Sequence, residues 1–170
     1  IQTWTWSFVD NSLGSNNPNS THIFPAFGSY SVQLLTVSNF GCRDSISKIS
    51  VVDPNPVVLF SASPNIVGCE PLCVNFTDLS IIATGGLIQW SWDAGDGSPP
   101  TYSNDFFHCY SNNNVYDPDT LSVTLTITSD SGCVVAGTKN NYITVFPNPN
   151  ASFNVQPQTT TILDPVISII

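Results

Sequence analysis

Basic side chains are nearly absent from this chain. Three Lys and Arg residues stand against twelve Asp and Glu among 170, a net charge of −9. Such a chain cannot neutralise a row of phosphates, which excludes nucleic-acid binding. An anionic membrane surface is disfavoured for the same reason. Charge of either sign is scarce, at 9% of residues, against about 25% in an ordinary soluble domain. Ser, Thr and Asn supply the polar surface instead, a balance more common in secreted and cell-surface β proteins. No apolar run approaches the roughly 18 residues of a membrane span, and no stretch keeps a helical period over three turns. Ile1 is not an initiator Met, and "IQTWTW" is not a basic-then-apolar leader. Any targeting signal is therefore expected outside this stretch.

What is present is enough apolar material for a packed core, 41% of residues, in a length that suits one or two small domains. The five cysteines, Cys42, Cys69, Cys73, Cys109 and Cys133, form no C-x-x-C, and neither histidine lies at zinc-ligand spacing from them. Disulfides in an oxidising compartment are the expected use, with no metal and no cofactor.

The chain repeats itself. "TWTWSFVDN" at 3–11 lies over "QWSWDAGDG" at 89–97, and His22-Ile23-Phe24 over His108-Cys109-Tyr110, both at an offset of 86. "YSVQLLTVSNFGC" at 30–42 lies over "LSVTLTITSDSGC" at 121–133, the offset grown to 91 by the longer loop "SNNNVYDPDT". "DPNPVVLFSASP" at 53–64 lies over "FPNPNASFNVQP" at 146–157, at offset 93. Residues 53–146 thus read as one complete unit between Pro-rich junctions, 1–52 as the back of an earlier unit and 147–170 as the front of a later one. A unit of this size suits an immunoglobulin-like sandwich. "LSVTLTIT" alternates for eight residues as a half-buried strand does. "VVLFSAS", "LCVNFTD", "IQWSWD", "DFFHCY" and "NYITVF" are further short runs rich in β-branched and aromatic residues, separated by Gly, Pro, Asn and Asp. The fold class is all-β.

The densest candidate site is "IQWSWDAGDGSPP" at 88–100. Trp90 and Trp92 lie two apart and share one strand face. Asp93 follows, and Gly95 and Gly97 bracket Asp96. Asp-Gly after a hydrophobic strand signals a tight turn, because Gly supplies φ > 0 and Asp accepts backbone N–H groups. Paired catalytic carboxylates would need a cleft and a neighbour that tunes one of them, and the first copy has Ser7 where Asp93 stands. A calcium loop would need more oxygen ligands than two local acids. A structural turn at Asp93, Gly95, Asp96 and Gly97 is the favoured reading. His22 and His108 occupy equivalent positions, which favours packed or turn-bonded side chains over ligands. No Ser–His–Asp or Cys–His set can be built from them. Gly85-Gly86 has no helix after it and is no phosphate loop. No catalytic residue is assigned, and the chain is expected not to be an enzyme: no hydrolytic turnover on peptides, glycans or esters.

Together, "FSASP…GCEPLCVNFTD", "IQWSWDAGDG", "FFHCY", "LSVTLTIT" and "SGC…YITVFPNP" resemble the PKD (polycystic kidney disease) domain. The resemblance covers the middle unit and part of both flanks. Two departures are "WTWSFVDN" in the first copy and the missing Gly-x-Tyr turn before "SVTLT" in the middle one. It implies tandem seven-stranded immunoglobulin-like sandwiches of a non-catalytic kind, strung along secreted enzymes or large surface proteins. The "GC.PL", "GC" and Pro-Asn-Pro variety is similar to arrays in Bacteroidota surface adhesins. The expected function is one stretch of an extracellular, cell-surface stalk or filament, whose partners are adjacent repeats and neighbouring copies, any glycan or protein ligand lying elsewhere in a longer chain. The alternative is a carbohydrate- or protein-binding module beside a secreted hydrolase, gripping its ligand with Trp4, Trp6, Trp90 and Trp92. Burial of those tryptophans discriminates the two.

Within such a sandwich the second strand, "LCVNFTD", runs antiparallel to the fifth, "DFFHCY", which turns Cys73 and Cys109 together on the outer face and predicts a disulfide. The other copies carry Ile23, and about Ile167, at these positions. Cys69 is placed in the turn between the first two strands and Cys133 in the last hairpin at the opposite end. Cys42, Cys69 and Cys133 are then expected to pair with cysteines of adjacent units. "DSI" at 44–46 and "DTL" at 119–121 resemble the Asp-Ser/Thr-hydrophobic acceptor of Bacteroidota O-glycosylation, which marks Ser45 and Thr120. Asn19, Asn75 and Asn150 lie in N-x-S/T sequons. Finally, the two partial units are expected to be completed by chain outside this stretch, by a neighbouring copy, or by strand exchange between molecules.

Overall fold

The structure, a computed structural model, describes residues 1–114, 116–156, 168 and 169. Twelve strands and no helix appear among them. Three belong to the first segment: β1 (Thr3–Phe8), β2 (Gly28–Val37) and β3 (Arg43–Val52), an antiparallel sheet in the order β1-β2-β3. Seven follow: β4 (Phe60–Ser63), β5 (Val67–Cys69), β6 (Leu72–Asp78), β7 (Leu87–Asp93), β8 (Phe106–Tyr110), β9 (Asp119–Ser129) and β10 (Val134–Phe146). They form two sheets, β4-β6-β8 and β5-β10-β9-β7, the seven-stranded immunoglobulin-like sandwich expected from the repeat. Last come β11 (Val155–Gln156) and β12 (Ser168–Ile169), paired antiparallel. The expected front unit 147–170 is thus described only in part, and Ile167 lies outside the described residues.

The period-2 pattern of β9 accounts for the core. Val123, Leu125 and Ile127 are fully buried on one face, between Ile143 and Val145 of β10 and Trp92 of β7, all likewise at 0% exposure. From the other sheet Phe60, Leu72, Val74, Phe76, Phe106 and Tyr110 close onto them. The register shift in β10 between Lys139 and Ile143 accounts for the offset growing from 91 to 93 in the sequence. Asn140–Tyr142 stand where a regular ladder would place one residue, two extra, and Asn141 takes a positive φ of 50° there.

Cys69 departs from its expected place. It ends a short strand, β5, that pairs parallel with β10 opposite Phe146, rather than sitting in a turn. Its neighbour Glu70 fixes the chain's exit: the Glu70 amide donates to the Phe146 carbonyl at 3.0 Å, and Asn148 Nδ2 donates to the Glu70 carbonyl at 2.9 Å. The Glu70 carboxylate accepts the Asn112 amide at 2.9 Å, and the buried Asn112 side chain donates to the Val145 carbonyl at 2.8 Å. At the other end of β10, Cys133 immediately precedes Val134. Thirteen residues of strand at about 3.3 Å each put Cys69 and Cys133 roughly 40 Å apart. Both are free thiols, as is Cys42.

Candidate functional site

Two constellations recur in both copies, a turn clasped by a histidine and the inner face of a sheet. The turn begins at Trp92, whose amide and carbonyl bond Thr101 in both directions at 2.8 and 3.0 Å. Its indole Nε1 donates to the Ser103 carbonyl at 3.0 Å. The Asp93 carboxylate accepts the Gly95 amide at 2.9 Å and Asp96 accepts the Ser98 amide at 3.0 Å. Gly95 and Gly97 both have φ of 82°. The first copy repeats these bonds: Trp6 pairs with Ser15 in both directions and its Nε1 donates to the Asn17 carbonyl at 3.0 Å. Asn11, in the place of Gly97, has φ of 62°, a conformation asparagine tolerates better than most residues.

The two glycines differ in what surrounds them. A Cβ on Gly95 would lie 2.0 Å from the Ser122 carbonyl oxygen, whereas one on Gly97 meets nothing within 4 Å. Gly95→Ala is therefore expected to cost about 2–4 kcal/mol, from strain plus backbone collision, and Gly97→Ala about 1 kcal/mol, from φ alone. Urea midpoints of the two variants check this, and equal costs would contradict it.

The histidine closes the turn from β8. His108 Nε2 lies 2.6 Å from Asp96 Oδ2, and His22 Nε2 lies 2.7 Å from Asp10 Oδ2. Sequence reasoning missed this pair, although Asp10 and Asp96 are related by the same offset of 86 as the histidines. Burial alone would raise the Asp96 pKa, but the bonds from Ser98 and His108 outweigh it and hold the carboxyl below its ordinary value. For Asp10 the Ser12 hydroxyl is the largest cause and His22 the next, lowering it from 3.8 to about 2. Each aspartate is therefore ionised near neutrality, so the facing Nε2 carries a proton and donates it. Burial, reinforced by the negative charges of Asp96 and Asp93, pushes the Tyr110 hydroxyl far above the ordinary phenol range. It stays protonated and donates to the Ala94 carbonyl at 3.2 Å.

This geometry holds a turn and does not relay a proton. A triad needs the carboxylate on one imidazole nitrogen and the nucleophile on the other. In the first copy Ser12 Oγ lies 3.4 Å from the same Nε2 that bonds Asp10, and Ser12 donates to Asp10 itself. Among the described residues no group of three or more His, Cys, Asp or Glu could hold a metal ion. A pH dependence follows. Because the folded pKa is depressed, each pair contributes stability that is complete above the ordinary value of 3.8 and is lost as pH falls through the folded value, about 2 for Asp10. Urea midpoints should drop between pH 4 and 2, and Asp10→Asn with Asp96→Asn should flatten that drop. An unchanged slope in the double variant would contradict the clasp.

The tryptophans of the complete sandwich form no platform. Trp92 is fully buried, and the half-buried Trp90 packs on the core with Nε1 donating to Asp78 Oδ2 at 2.7 Å. Cys73 and Cys109 stand directly opposite on β6 and β8 and are disulfide-bonded. Ser45 and Thr120 are exposed, near the starts of β3 and β9.

The second constellation is a face left open. Trp6, Val32 and Leu34 occupy in β1 and β2 the places of Trp92, Val123 and Leu125, yet all three are only half-buried. With Ile46 and Lys48 of β3 they line a groove of about 300 Å³, and no strand among the described residues lies over it.

No helix among the described residues is long and apolar enough to cross a membrane. No curated protein matches the chain. Among solved structures it is similar to the PKD1 domain of Vibrio anguillarum Epp, at 22% identity over 56% of this chain and 100% of that one, TM-score 0.45. The PKD1 domain of the Vibrio cholerae metalloprotease PrtV is similar at 25% identity over 54% and 96%, TM-score 0.43. A structure described as carbohydrate-binding modules from the β-sandwich superfamily is similar at 25% identity over 60% and 38%, TM-score 0.45. Models of the PKD domain match residues 54–145 and, separately, 1–51. With more than half its length matched by a single such model and most of the remainder by a second, the chain belongs to the PKD domain family.

Proposed function

We propose that the chain is a stretch of a non-catalytic extracellular stalk or filament of a large cell-surface adhesin, divided at 1–52, 53–146 and 147–170. The observation that carries this reading is the sealed, self-sufficient sandwich with its exit bonded through Glu70 to Asn112 and Asn148. Such a junction resists bending and passes on orientation from unit to unit. The accessory-module alternative would need an exposed aromatic pair in the complete unit, and its two tryptophans are buried or tied to Asp78.

Two details fill out the reading. Val58 lies against Gly137 and Phe60 against Lys139, so stepping back along the chain approaches the Cys133 end of β10. Cys69 therefore marks the exit end of a unit and Cys133, like Cys42, the entry end. Joined end to end, units bring a Cys69 to the next unit's Cys133, and a disulfide there releases two protons and two electrons to an oxidised dithiol of the secretory compartment. Exposed Ser45 and Thr120 are the proposed O-glycan sites, read out by intact mass. Deleting whole units from the full-length gene product should shorten the appendage in electron micrographs in proportion. An unchanged length would contradict the stalk reading.

A further inference from the structure

The two outer faces of the complete sandwich differ in kind. On the β5-β10-β9-β7 sheet, Thr124, Thr126 and Thr128 of β9 stand opposite Asp93, Ser91 and Gln89 of β7. That face is polar, as the solvated side of an antiparallel sheet is.

The β4-β6-β8 face is not. The pairing of β4 with β6 runs on past the strand ends. The Val57 amide donates to the Ile81 carbonyl at 2.8 Å, the Ile81 amide to the Val57 carbonyl at 3.1 Å, and the Leu79 amide to the Leu59 carbonyl at 2.8 Å. This is the register of Ser61↔Thr77 and Ser63↔Asn75, and the period of two puts all these side chains on one face. Phe60 and Phe76 point the other way, into the core. Val57, Leu59, Leu79 and Ile81 thus form a contiguous aliphatic block, each side chain 49 to 60% exposed. Phe107, opposite Asn75, lies at the rim of the same face and is also exposed. Among the described residues none on this face is charged, in a chain of net charge −9.

The fold does not require the block. Offset 93 places Asn150 and Ser152 where Val57 and Leu59 stand, so polar residues serve the same stretch in the next copy. Single exposed leucines need no explanation, but a contiguous apolar patch marks a contact.

Charge and size select the occupant. A face without charge offers no grip to a ligand held by ion pairs. The Ser61 and Thr77 hydroxyls each donate and accept, so they match their own kind across a two-fold axis. Along β6 the face runs from Cys73 to Ile81 at about 3.3 Å per residue, across strands about 4.8 Å apart. Two copies pressed together therefore cover on the order of 1,000 Å², the lower end of what a specific dimer needs. The backbone under the block is already held by its own hydrogen bonds, so little ordering opposes association.

We propose that the outer face of β4-β6-β8 is a homodimer interface, occupied by the same face of a second copy. A two-fold axis along the strands, between β4 and β6, sets Val57 of each copy on Ile81 of the other and Leu59 on Leu79. Sheets pack face to face in this way about 10 Å apart. Apolar burial drives the contact against the repulsion of two chains that each carry −9. It is isologous and closes at two molecules. It needs only this face of the complete unit and does not rest on the stalk reading.

Sedimentation equilibrium of the 170-residue chain, with free thiols alkylated, tests this. The wild type should follow a monomer–dimer equilibrium with a dissociation constant of roughly 10–300 µM. Val57→Asn with Leu59→Ser introduces the residues of the next copy, so the fold and its urea midpoint should be kept. Two apolar side chains are lost from each partner, and association should weaken by at least about 30-fold. Val134→Ser, on the polar outer face of the other sheet, should change nothing. Raising salt from about 0.05 to about 0.5 M should tighten the dimer by about 3–10-fold, because it screens like charges. A wild type still monomeric at about 1 mM, an association kept by the Val57→Asn, Leu59→Ser chain, or a dimer that loosens as salt rises would each overturn the proposal.

Discussion

Trp92→Ala should lower the stability of the complete sandwich by about 3–5 kcal/mol, whereas Trp6→Ala should cost the monomeric chain no more than about 1 kcal/mol. The two residues hold the same position on equivalent strands and make the same indole bond to a carbonyl eleven residues on. Only their cover differs. Trp92 is enclosed by Phe60, Phe76 and Phe106 with ring centroids 5.3 to 6.0 Å away, so truncation leaves a cavity the neighbours cannot fill. Trp6 borders an open groove, and its loss removes contact on one side only. Urea titrations followed by far-ultraviolet circular dichroism measure both, the Trp6 variant at concentrations where the chain is monomeric. Equal costs would mean that the first sheet is as well covered as the second.

Removing the Cys73–Cys109 bridge, by Cys73→Ser with Cys109→Ser, should cost about 3–4 kcal/mol. The two strands are already neighbours through five residue pairs from Leu72↔Tyr110 to Phe76↔Phe106, so the bond adds little to the native contacts. Its effect lies in the unfolded chain, where it closes a loop of sequence separation 36 and removes entropy that grows with the logarithm of loop length. The loss should appear as a lower urea midpoint with the native spectrum kept. A midpoint shift worth less than about 1 kcal/mol would show the loop to be constrained in the unfolded chain by other means.

The repeat made most of the fold legible before any coordinates. Offsets of 86, 91 and 93 located the strands, whereas the cause of the last step, the bulge after Lys139, is seen only in the strand pairing. Alternation in "LCVNFTD" and "FFHCY" placed Leu72, Val74, Phe76, Phe106, His108 and Tyr110 inward; all are buried except His108, half-buried where it bonds Asp96. The Asp–His clasp was visible in principle, since both partners recur at one offset, but weighing Asp96 within its own loop and His108 within its own strand kept them apart. Cys69 illustrates a different limit. The three residues of β5 carry no period of their own, and their strand form comes from pairing with the far end of β10, a contact between distant parts of the chain. That Trp6, Val32 and Leu34 are only half-buried where Trp92, Val123 and Leu125 are enclosed is a matter of exposure, which no sequence pattern records.

Amide hydrogen exchange on the chain compares the two sheets most directly. β2 and β9 are both central strands, bonded on each side, and differ in whether a second sheet covers them. The amides of Val123, Leu125 and Ile127 should exchange only through global unfolding, and those of Val32, Leu34 and Thr36 at least about 100-fold faster. Equal protection of the two sets would contradict the difference in cover between the two sheets.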